Sequence, residues 1–357
     1  FAQNYTPWQV LGFPGGPVMF SSEMKFISES PERRTDCYRV LDENGTIITD
    51  STRFQQVCDK EVALKMYRYM VTLRIMDTIL YEAQRQGRIS FYLTTKGEEV
   101  INIASAAALN MDDLVFPQFV FVRTQLLHAV GAAYSLKMDK RDACAVTYFG
   151  DGATSEGDFH AALNFAAVME APVIFFCRNN GWAISTPTSQ QFRSDGIVVK
   201  GRAYGIRSIR VDGNDTLAVY NAVRAAREMA ISEHRPVLIE ALTYRVAHHS
   251  TSDDSTKYRS VDEIEIWRMT RDPVTRFRKW LAKNSLWSDE DELELRRDER
   301  KKILHAIQVA EKLEKPSLAD LFTDVYDRLP GNLCEQESLV RDTIKNHPQD
   351  YPTDVPV

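Results

Sequence analysis

Residues 143–243 alternate between short apolar runs and longer amphipathic stretches, and this alternation restricts the fold more than any other feature of the chain. Ser155 and Asp158 occupy capping-box positions at the start of the first predicted helix, and Asp215 caps the second. Because apolar strands alternate with helices, the pattern predicts an α/β fold with a parallel sheet that helices cover on both faces. The predicted strands are 145–149, 172–177, 206–211 and 237–243.

The residues before this region predict an extended arm followed by two helices. Residues 1–58 are rich in Pro, Gly, Ser and Thr, and the tetrapeptide 42–45 lies between two apolar runs, as is typical of a hairpin. Apolar residues recur at helical spacing over 60–87, and a second helical stretch covers 98–108.

The residues after this region predict a polar loop and then a helical part. Residues 247–260 are polar, and the chain beyond Val261 has helical patterning. The dense charges of 289–302 are interpreted as the solvated face of one helix. The predicted domains are an arm over 1–58, an α/β domain over 59–275 and a helical region over 276–357.

Composition narrows the class of protein. The chain has 357 residues and a formal charge of −6, whereas nucleic-acid-binding proteins normally carry a basic excess. Its five cysteines are scattered and form no Cys-x-x-Cys pair, which indicates a reducing compartment. Residues 1–20 contain no basic residue, as expected of a mature N-terminus from which a transit peptide has been removed. The cysteines are Cys37, Cys58, Cys144, Cys177 and Cys334.

The most specific motif pairs Gly150-Asp151-Gly152, after one predicted strand, with Asn179-Asn180, after the next. The carboxyl ends of neighbouring parallel strands meet at one edge of the sheet, where α/β folds bind ligands. Glycine lets the backbone approach a diphosphate closely, and carboxylate and amide oxygens are ligands for Mg²⁺. The pair therefore predicts a magnesium-diphosphate site.

A simpler interpretation of either motif is a tight turn. Asp212-Gly213-Asn214-Asp215 illustrates it, because this segment is interpreted as a turn that leads into a helix cap. The magnesium interpretation rests on finding both motifs after strands, with 26 residues between Gly152 and Asn179, about one helix plus one strand.

The segments around these motifs resemble a known family. Residues 148–158 read Tyr-Phe-Gly-Asp-Gly-Ala-Thr-Ser-Glu-Gly-Asp, and 175–188 read Phe-Phe-Cys-Arg-Asn-Asn-Gly-Trp-Ala-Ile-Ser-Thr-Pro-Thr. Further matches are Gly-Arg-Ile-Ser-Phe-Tyr at 87–92 and Thr-Tyr-Arg-Val-Ala-His-His-Ser-Thr-Ser-Asp-Asp-Ser at 243–255. Together they resemble the α subunit of the E1 component of branched-chain 2-oxo acid dehydrogenase complexes. Pyruvate dehydrogenase α subunits share the Gly-Asp-Gly and Asn-Asn motifs but normally lack the residues that flank them here, so they are the alternative.

The resemblance implies a thiamine-diphosphate-binding fold and assigns roles to matching residues. Mg²⁺ would be held by Asp151, Asn180 and the carbonyl of Trp182, where the family commonly has Glu or Asp at the first position and Tyr at the third. His249 would lie over the reactive carbon of the cofactor as a proton donor or orienting group. The implied cofactor-binding residues are Gly150, Asp151, Gly152, Ala153, Arg178, Asn180, Trp182, Ala183, Ile184 and His249.

Two features of the polar loop have simpler interpretations as well. His248 and His249 could equally be exposed loop histidines. Ser250 and Ser260 match the family's regulatory phosphorylation sites, whereas serines in polar loops also serve turn chemistry. A phosphate would add about −1.5 to −2 charges beside an already acidic loop and disorder it or block the cofactor site.

The resemblance breaks between Phe116 and Gln125. Family members have several dozen more residues here, beginning with a Tyr-Arg pair that contacts the diphosphate; this chain has Phe119 and no following Arg. Thr124 and Gln125 would be what remains of a potassium site. A skipped exon or erroneous gene model, a true isoform and a diverged relative all explain the gap, and each puts cofactor binding and turnover by this chain in question.

The resemblance also implies the cellular setting. It predicts thiamine-diphosphate-dependent oxidative decarboxylation of branched-chain 2-oxo acids in the mitochondrial matrix, with acyl transfer to a lipoyl-bearing E2 core. The implied cofactors are thiamine diphosphate, Mg²⁺ and, where its site is complete, K⁺. The implied partners are an E1 β subunit in an α2β2 assembly, E2, a regulatory kinase and a phosphatase. A non-catalytic product that retains partner-binding surfaces but holds no cofactor is the competing hypothesis.

Overall fold

A computed structural model describes residues 10–13, 16–19, 24, 34–48, 59–118 and 124–357. Part of the predicted arm and part of the junction at 116–125 therefore lie outside the described residues. Cys58 and Phe119 are not among the described residues either. The chain divides into two compact units, the first comprising 1–40 and 105–244 and the second 41–104 and 245–357. The domain boundaries predicted at 58 and 275 remain a prediction.

The first unit contains a parallel sheet, as the alternating pattern predicts. In the described part of the chain this sheet has six strands, and every neighbouring pair is parallel. From one edge of the sheet to the other, the strands are β3 (Cys37–Tyr38), β9 (Arg207–Asp212), β10 (Val237–Leu242), β6 (Val173–Asn179), β5 (Ala145–Gly150) and β4 (Leu114–Phe116). Two small antiparallel hairpins complete the strands: β1 (Val10–Phe13) with β2 (Gly16–Met19), and β7 (Trp182–Ala183) with β8 (Thr186–Pro187).

Helices flank this sheet and complete the α/β fold. Two alanine-rich helices, α3 (Thr124–Met138) and α4 (Gly157–Met169), pack on β5 and β6. Their buried side chains, among them Leu126, Phe159 and Leu163, join Phe149 and Phe175 in one apolar core. The helices that follow are α5 (Val198–Ala203) and α6 (Thr216–Glu233). Asp215 caps α6 by accepting hydrogen bonds from the amides of Leu217 and Ala218, as predicted.

The predicted capping box at Ser155 and Asp158 is wrong. The chain leaves β5 through a 3₁₀ turn over Asp151–Ser155, and α4 begins only at Gly157, without a side-chain cap. The Thr154 hydroxyl donates to the Asp151 carbonyl at 2.8 Å, which stabilises the tight turn at this position. The turn keeps Asp151–Ser155 close to the edge of the sheet at which β5 ends.

The second unit is helical in its described residues. It contains α1 (Lys60–Arg85), α7 (Val261–Thr270), α8 (Pro273–Lys283), α9 (Asp289–Ala310), α10 (Asp320–Thr323) and α11 (Gly331–Asn346), while α2 (Glu99–Ala107) crosses the boundary between the units. Most of the charges of α9 are exposed, as predicted, but Glu292 is buried. Its Oε2 accepts hydrogen bonds from the Tyr67 hydroxyl at 2.7 Å and the Trp287 indole at 2.9 Å.

The predicted hairpin near residue 45 is present in reduced form. Leu41 and Ile47 form a single antiparallel bridge around a turn at Gly45, whose φ is +72°. Cys37–Tyr38 instead joins the edge of the main sheet beside β9, which the sequence pattern did not indicate. Among the described residues, no helix combines the length and apolar character needed to cross a membrane.

Candidate cofactor and metal site

The two predicted motifs lie at the ends of neighbouring strands. β5 and β6 pair directly, with Gly150 opposite Arg178 in the register. Asp151 and Asn180 follow these strands at the same edge of the sheet, and their exposed fractions are only 1% and 7%. The fold therefore places a carboxylate and an amide at the edge where parallel α/β sheets bind ligands.

The Asp151 carboxylate has a partner that the sequence did not indicate. The Gln191 amide nitrogen donates to Asp151 Oδ2 at 2.7 Å and also to the Thr186 carbonyl at 3.1 Å. The other end of this amide, Gln191 Oε1, is buried without a hydrogen-bond partner among the described residues. A buried acceptor without a donor is unfavourable, and a bound group that supplies a donor or a cation would relieve it.

The donor set fits Mg²⁺. Carboxylate and amide oxygens are hard ligands, and Mg²⁺ takes few of them from protein because substrate phosphates and water complete its octahedron. The described residues contain no cluster of three or more His, Cys, Asp or Glu side chains that could hold a metal ion. The predicted set mixes Asp151, Asn180 and a backbone carbonyl, so it does not depend on such a cluster.

Close packing explains why the motif needs its second glycine. A Cβ at Gly152 would lie 2.7 Å from the Cβ of Ala183, which is closer than real contacts allow. The Ala153 methyl group belongs to the apolar core, so only its backbone is available to a ligand. Gly150 is less constrained, because its nearest neighbour would be Gln118 Nε2 at 3.4 Å.

The hairpin after Asn180 has a strained tip. The Asn180 side-chain oxygen accepts from the Trp182 amide at 3.2 Å, and β7 then leads to Ile184, which is 52% exposed. Ile184 has φ +56°, a left-handed conformation that β-branched residues rarely adopt. Backbone strain of this kind clusters at ligand sites, and the cofactor-binding role of this segment remains a prediction.

Two positively charged side chains, Arg178 and Lys200, lie near the end of β6 and the turn that follows β5. Arg178 donates from its guanidinium to Gln118 Oε1 at 2.8 Å, and Gln118 follows the end of β4. Lys200 donates to the Thr154 hydroxyl at 3.1 Å and lies over the rings of Phe159 and Phe192. Burial lowers the pKa of Lys200. Gln191 and Lys200 belong to no motif, so the sequence patterns did not indicate them.

The polar loop over 247–260 belongs to the second unit and contains His249, Ser250 and Ser260. The His249 amide donates to Asp253 Oδ2 at 2.8 Å, and Tyr258 donates to the same oxygen at 2.6 Å. Arg245 lies 3.3 Å from both His249 Nδ1 and the Tyr258 hydroxyl. Ser260 is exposed and caps α7 by accepting from the Glu263 amide.

The neighbouring His248 has a defined role in the loop. Its Nδ1 accepts the backbone N–H of Ser255 at 3.0 Å, so Nδ1 is unprotonated and the ring closes the loop from 248 to 255. His248 is therefore a structural histidine in this arrangement. The catalytic role of His249 and the phosphorylation of Ser250 and Ser260 remain predictions.

The predicted remnant of a potassium site is split between two environments. Thr124 begins α3 and is exposed, whereas Gln125 is buried and its amide lies 3.4 Å from the Tyr148 carbonyl. Residues 119–123, just before them, lie outside the described residues. Potassium binding therefore remains a prediction.

Comparison with known proteins places the chain in a family. The profile described as "Dehydrogenase E1 component" matches residues 67–122 and 120–319. The match is interrupted at 120–122, within the junction where the sequence predicts a missing segment. Leu114 and Val115 in β4, just before this junction, are 40% and 50% exposed, which is unusual for apolar strand residues.

Individual relatives agree with the profile. The 2-oxoisovalerate dehydrogenase subunit alpha 2 of Arabidopsis thaliana is 60% identical over 405 aligned positions, covering 100% of this chain and 85% of the relative. This alignment is longer than the chain, so the relative has residues that this chain lacks. The human subunit alpha is 43% identical over 390 positions, covering 96% and 87%, and that of Dictyostelium discoideum is 43% identical over 365, covering 88% and 82%. The chain therefore belongs to the dehydrogenase E1 component family, among the alpha subunits of 2-oxoisovalerate dehydrogenase.

Proposed function

We propose that this chain acts as the α subunit of a branched-chain 2-oxo acid dehydrogenase E1 component in the mitochondrial matrix. The reaction would be the oxidative decarboxylation of branched 2-oxo acids, followed by acyl transfer to a lipoyl-bearing E2. The observation that carries the proposal is the placement of Asp151 and Asn180, both buried, at the ends of adjacent parallel strands. The relatives' names support the choice of 2-oxoisovalerate over pyruvate as the substrate type.

In this proposal the first unit holds the cofactor. Asp151, Asn180 and the Trp182 carbonyl hold Mg²⁺, and the backbone of Gly152 and Ala153 with the Arg178 guanidinium bind the diphosphate of thiamine diphosphate. When bound, the thiazolium ring supplies the electron sink for decarboxylation. The protein provides orientation and charge compensation, with Gln191 holding the Asp151 carboxylate in place.

His249 is proposed as a proton donor or orienting group for the reaction. Its backbone amide is fixed by Asp253, and its ring nitrogen lies within reach of Arg245, which limits the orientations that the imidazole can take. Ser250 directly follows this histidine. A phosphate there would place additional negative charge close to Asp253 and break the hydrogen bonds that hold the loop.

The proposed partners are an E1 β subunit, the lipoyl-bearing E2 core, a regulatory kinase and a phosphatase. Because β is proposed to supply the aminopyrimidine side of the cofactor site, the α chain alone is expected to be inactive.

The interrupted family match favours a second candidate function. The resemblance implies that the segment absent near 116–125 includes a diphosphate contact, and the Arabidopsis thaliana relative aligns over 405 positions against the 357 residues of this chain. The second candidate is therefore a non-catalytic α chain that binds β but not the cofactor. Cofactor binding separates the two candidates, because partner binding is common to both.

The deciding experiment is a calorimetric titration of thiamine diphosphate and Mg²⁺ into this chain co-expressed with a branched-chain E1 β subunit. The matched control is Asp151→Ala, which removes one proposed ligand. We expect saturable, Mg²⁺-dependent binding that the substitution abolishes. A soluble α–β complex that binds no cofactor would contradict the enzymatic proposal and support the non-catalytic candidate.

A further inference from the structure

A carboxylate in the middle of the sheet is bound to the motif that carries the proposed metal ligand. Glu240 lies in β10, opposite Cys177 of β6 and Arg210 of β9, and it is fully buried. A buried carboxylate is unfavourable unless hydrogen bonds satisfy its oxygens. Its partners therefore show what this residue holds in place.

Four donors converge on the Glu240 carboxylate. Oε1 accepts from the Asn179 side chain at 2.8 Å and the Ile197 amide at 3.0 Å. Oε2 accepts from the Val198 amide and from Arg210 Nε, both at 3.0 Å. A carboxylate offers about four acceptor sites, so this one is saturated.

The bond to Asn179 fixes the orientation of its amide. Because only the NH₂ group can donate to a carboxylate, the Asn179 side-chain oxygen must point away from Glu240. That oxygen accepts from the Gly181 amide at 3.1 Å. The turn that follows has Gly181 at φ +83°, and within it the Asn180 oxygen accepts from the Trp182 amide. Glu240 thus sets the first of two successive hydrogen bonds that shape the turn presenting Asn180.

The same carboxylate fixes the segment that carries the partner of Asp151. Gln191 lies a few residues before Ile197 and Val198, whose amides Glu240 binds. Between them, Gly196 has φ +70°, and a Cβ there would lie 2.6 Å from Glu240 Oε1. The backbone therefore closes tightly around the carboxylate.

We propose that Glu240 is a positioning residue for the magnesium-diphosphate site, acting through Asn179 on the Asn180 turn and through the 191–198 segment on Asp151. The inference rests on the proposed function. It assigns the role to a residue that touches neither metal nor cofactor. Outer-shell partners of this kind typically change metal affinity by roughly 10- to 100-fold when they are altered.

The test compares Glu240→Gln with a matched buried carboxylate in the same unit. Asp113 also accepts four hydrogen bonds, from the amides of Asn110 and Cys144 and from two nitrogens of Arg227. It contacts the residue before β5, at the opposite end of that strand from Asp151. Asp113→Asn therefore removes a comparable network without touching the proposed site.

Two quantities are measured on each variant in complex with β: the Kd for thiamine diphosphate across a range of Mg²⁺ concentrations, and the hydrogen-exchange protection of the 179–183 peptide. We expect both variants to lose stability. We expect only Glu240→Gln to raise the Kd, by roughly 10-fold or more, and to lose protection at 179–183.

A second variant keeps the test decisive if Glu240→Gln folds poorly. Asn179→Ala removes the side chain through which Glu240 acts on the turn, and we expect it to raise the Kd as well. Where Glu240→Gln does fold, adding it to Asn179→Ala should raise the Kd by less than it does alone, because the two substitutions share the path through Asn179.

The outcomes distinguish the inference from the proposed function. If the unchanged chain binds cofactor and Glu240→Gln binds it equally well, the positioning role is contradicted and the proposed function stands. If Asp113→Asn weakens binding as much as Glu240→Gln, the effect is general destabilisation and the inference fails. Absence of binding by the unchanged complex would contradict both.

Discussion

At the scale of single residues, Gly152 offers the sharpest steric test of the site. In Gly152→Ala the new methyl group would meet the Ala183 Cβ at 2.7 Å, and neither side chain can move away without shifting its backbone. We expect the 3₁₀ turn to shift and the Kd for thiamine diphosphate with Mg²⁺ to rise by about 10-fold or more, as for other displaced site supports. Titration calorimetry measures this.

Gly157→Ala is the control for that change. Gly157 begins α4, and a Cβ there would have no atom within 4 Å. Alanine should leave cofactor binding unchanged and stabilise the helix by a few tenths to about 1 kcal/mol. Equal effects of the two substitutions on Kd would show that crowding at Gly152 is irrelevant to the site.

The sequence identified individual residues of the candidate site only where they belong to a motif. Asp151 and Asn180 were found because glycines and strand ends flank them, whereas Gln191 stands in a polar segment without any pattern. Glu240 carried a signal that pattern analysis did not use. A charged residue inside an apolar strand must be paired when it is buried, and so it marks a network.

At the scale of elements, the polar loop is held by Asp253. Burial acts to raise the pKa of this carboxyl, but hydrogen bonds from Tyr258 and the His249 amide, with the charge of Arg245, outweigh it and hold the pKa below its ordinary 3.8. A depressed pKa in the folded state contributes stability that is present above 3.8 and is lost as the pH falls through the folded value. The loop should therefore stay ordered at neutral pH and open in acid.

Hydrogen exchange of the 248–258 peptide, corrected for intrinsic rates, measures this opening as the pH is lowered. Asp253→Asn is the matched variant, since it removes the negative charge but keeps the shape. We expect it to lose protection already at pH 7 and to show no further acid transition. A variant loop as protected as the unchanged one would rule out Asp253 as the residue that holds it.

Element boundaries follow from the same local chemistry, but tertiary contacts shift them. Asp215 caps α6 as predicted, because its Oδ1 accepts hydrogen bonds from the amides of Leu217 and Ala218 at the start of the helix. Ser155 does not begin α4, because residues 151–155 are wound into the 3₁₀ turn at the edge of the sheet. Local capping patterns do not reveal that the preceding residues form a 3₁₀ turn.

At the scale of the whole molecule, stability depends on charges buried between distant segments. In the second unit, Arg74 of α1 donates to Glu99 at 2.8 Å and to Asp272, the cap of α8, at 2.7 Å. The Glu99 carboxylate is fully buried. Arg74→Met leaves that charge uncompensated and should lower the free energy of unfolding by about 3–5 kcal/mol.

Arg88→Met is the comparison for this prediction. Arg88 makes a similar bond to Glu311 at 2.6 Å, but both side chains are exposed to solvent. Exposed ion pairs contribute little to stability, so this variant should unfold at nearly the same urea concentration as the unchanged chain. Urea denaturation of both variants measures the difference. Similar midpoints would mean that burial of the ion triad is not important for stability.

The sequence by itself determined the class of fold and the residue types at the site. Alternating apolar strands and helices lead to a parallel α/β sheet, since only such a sheet buries both faces of these strands. Two motifs after neighbouring strands then predict where a diphosphate and Mg²⁺ would bind. Both inferences use local patterns and the regular geometry of the sheet.

Only the tertiary structure decided which residues support that site. Glu240, Gln191 and Arg210 come from separate segments, and their hydrogen bonds exist only because the chain brings those segments together. The edge strand Cys37–Tyr38 joins β9 although nearly 170 residues lie between them. Such contacts depend on packing and on the satisfaction of buried polar groups, which no local pattern encodes.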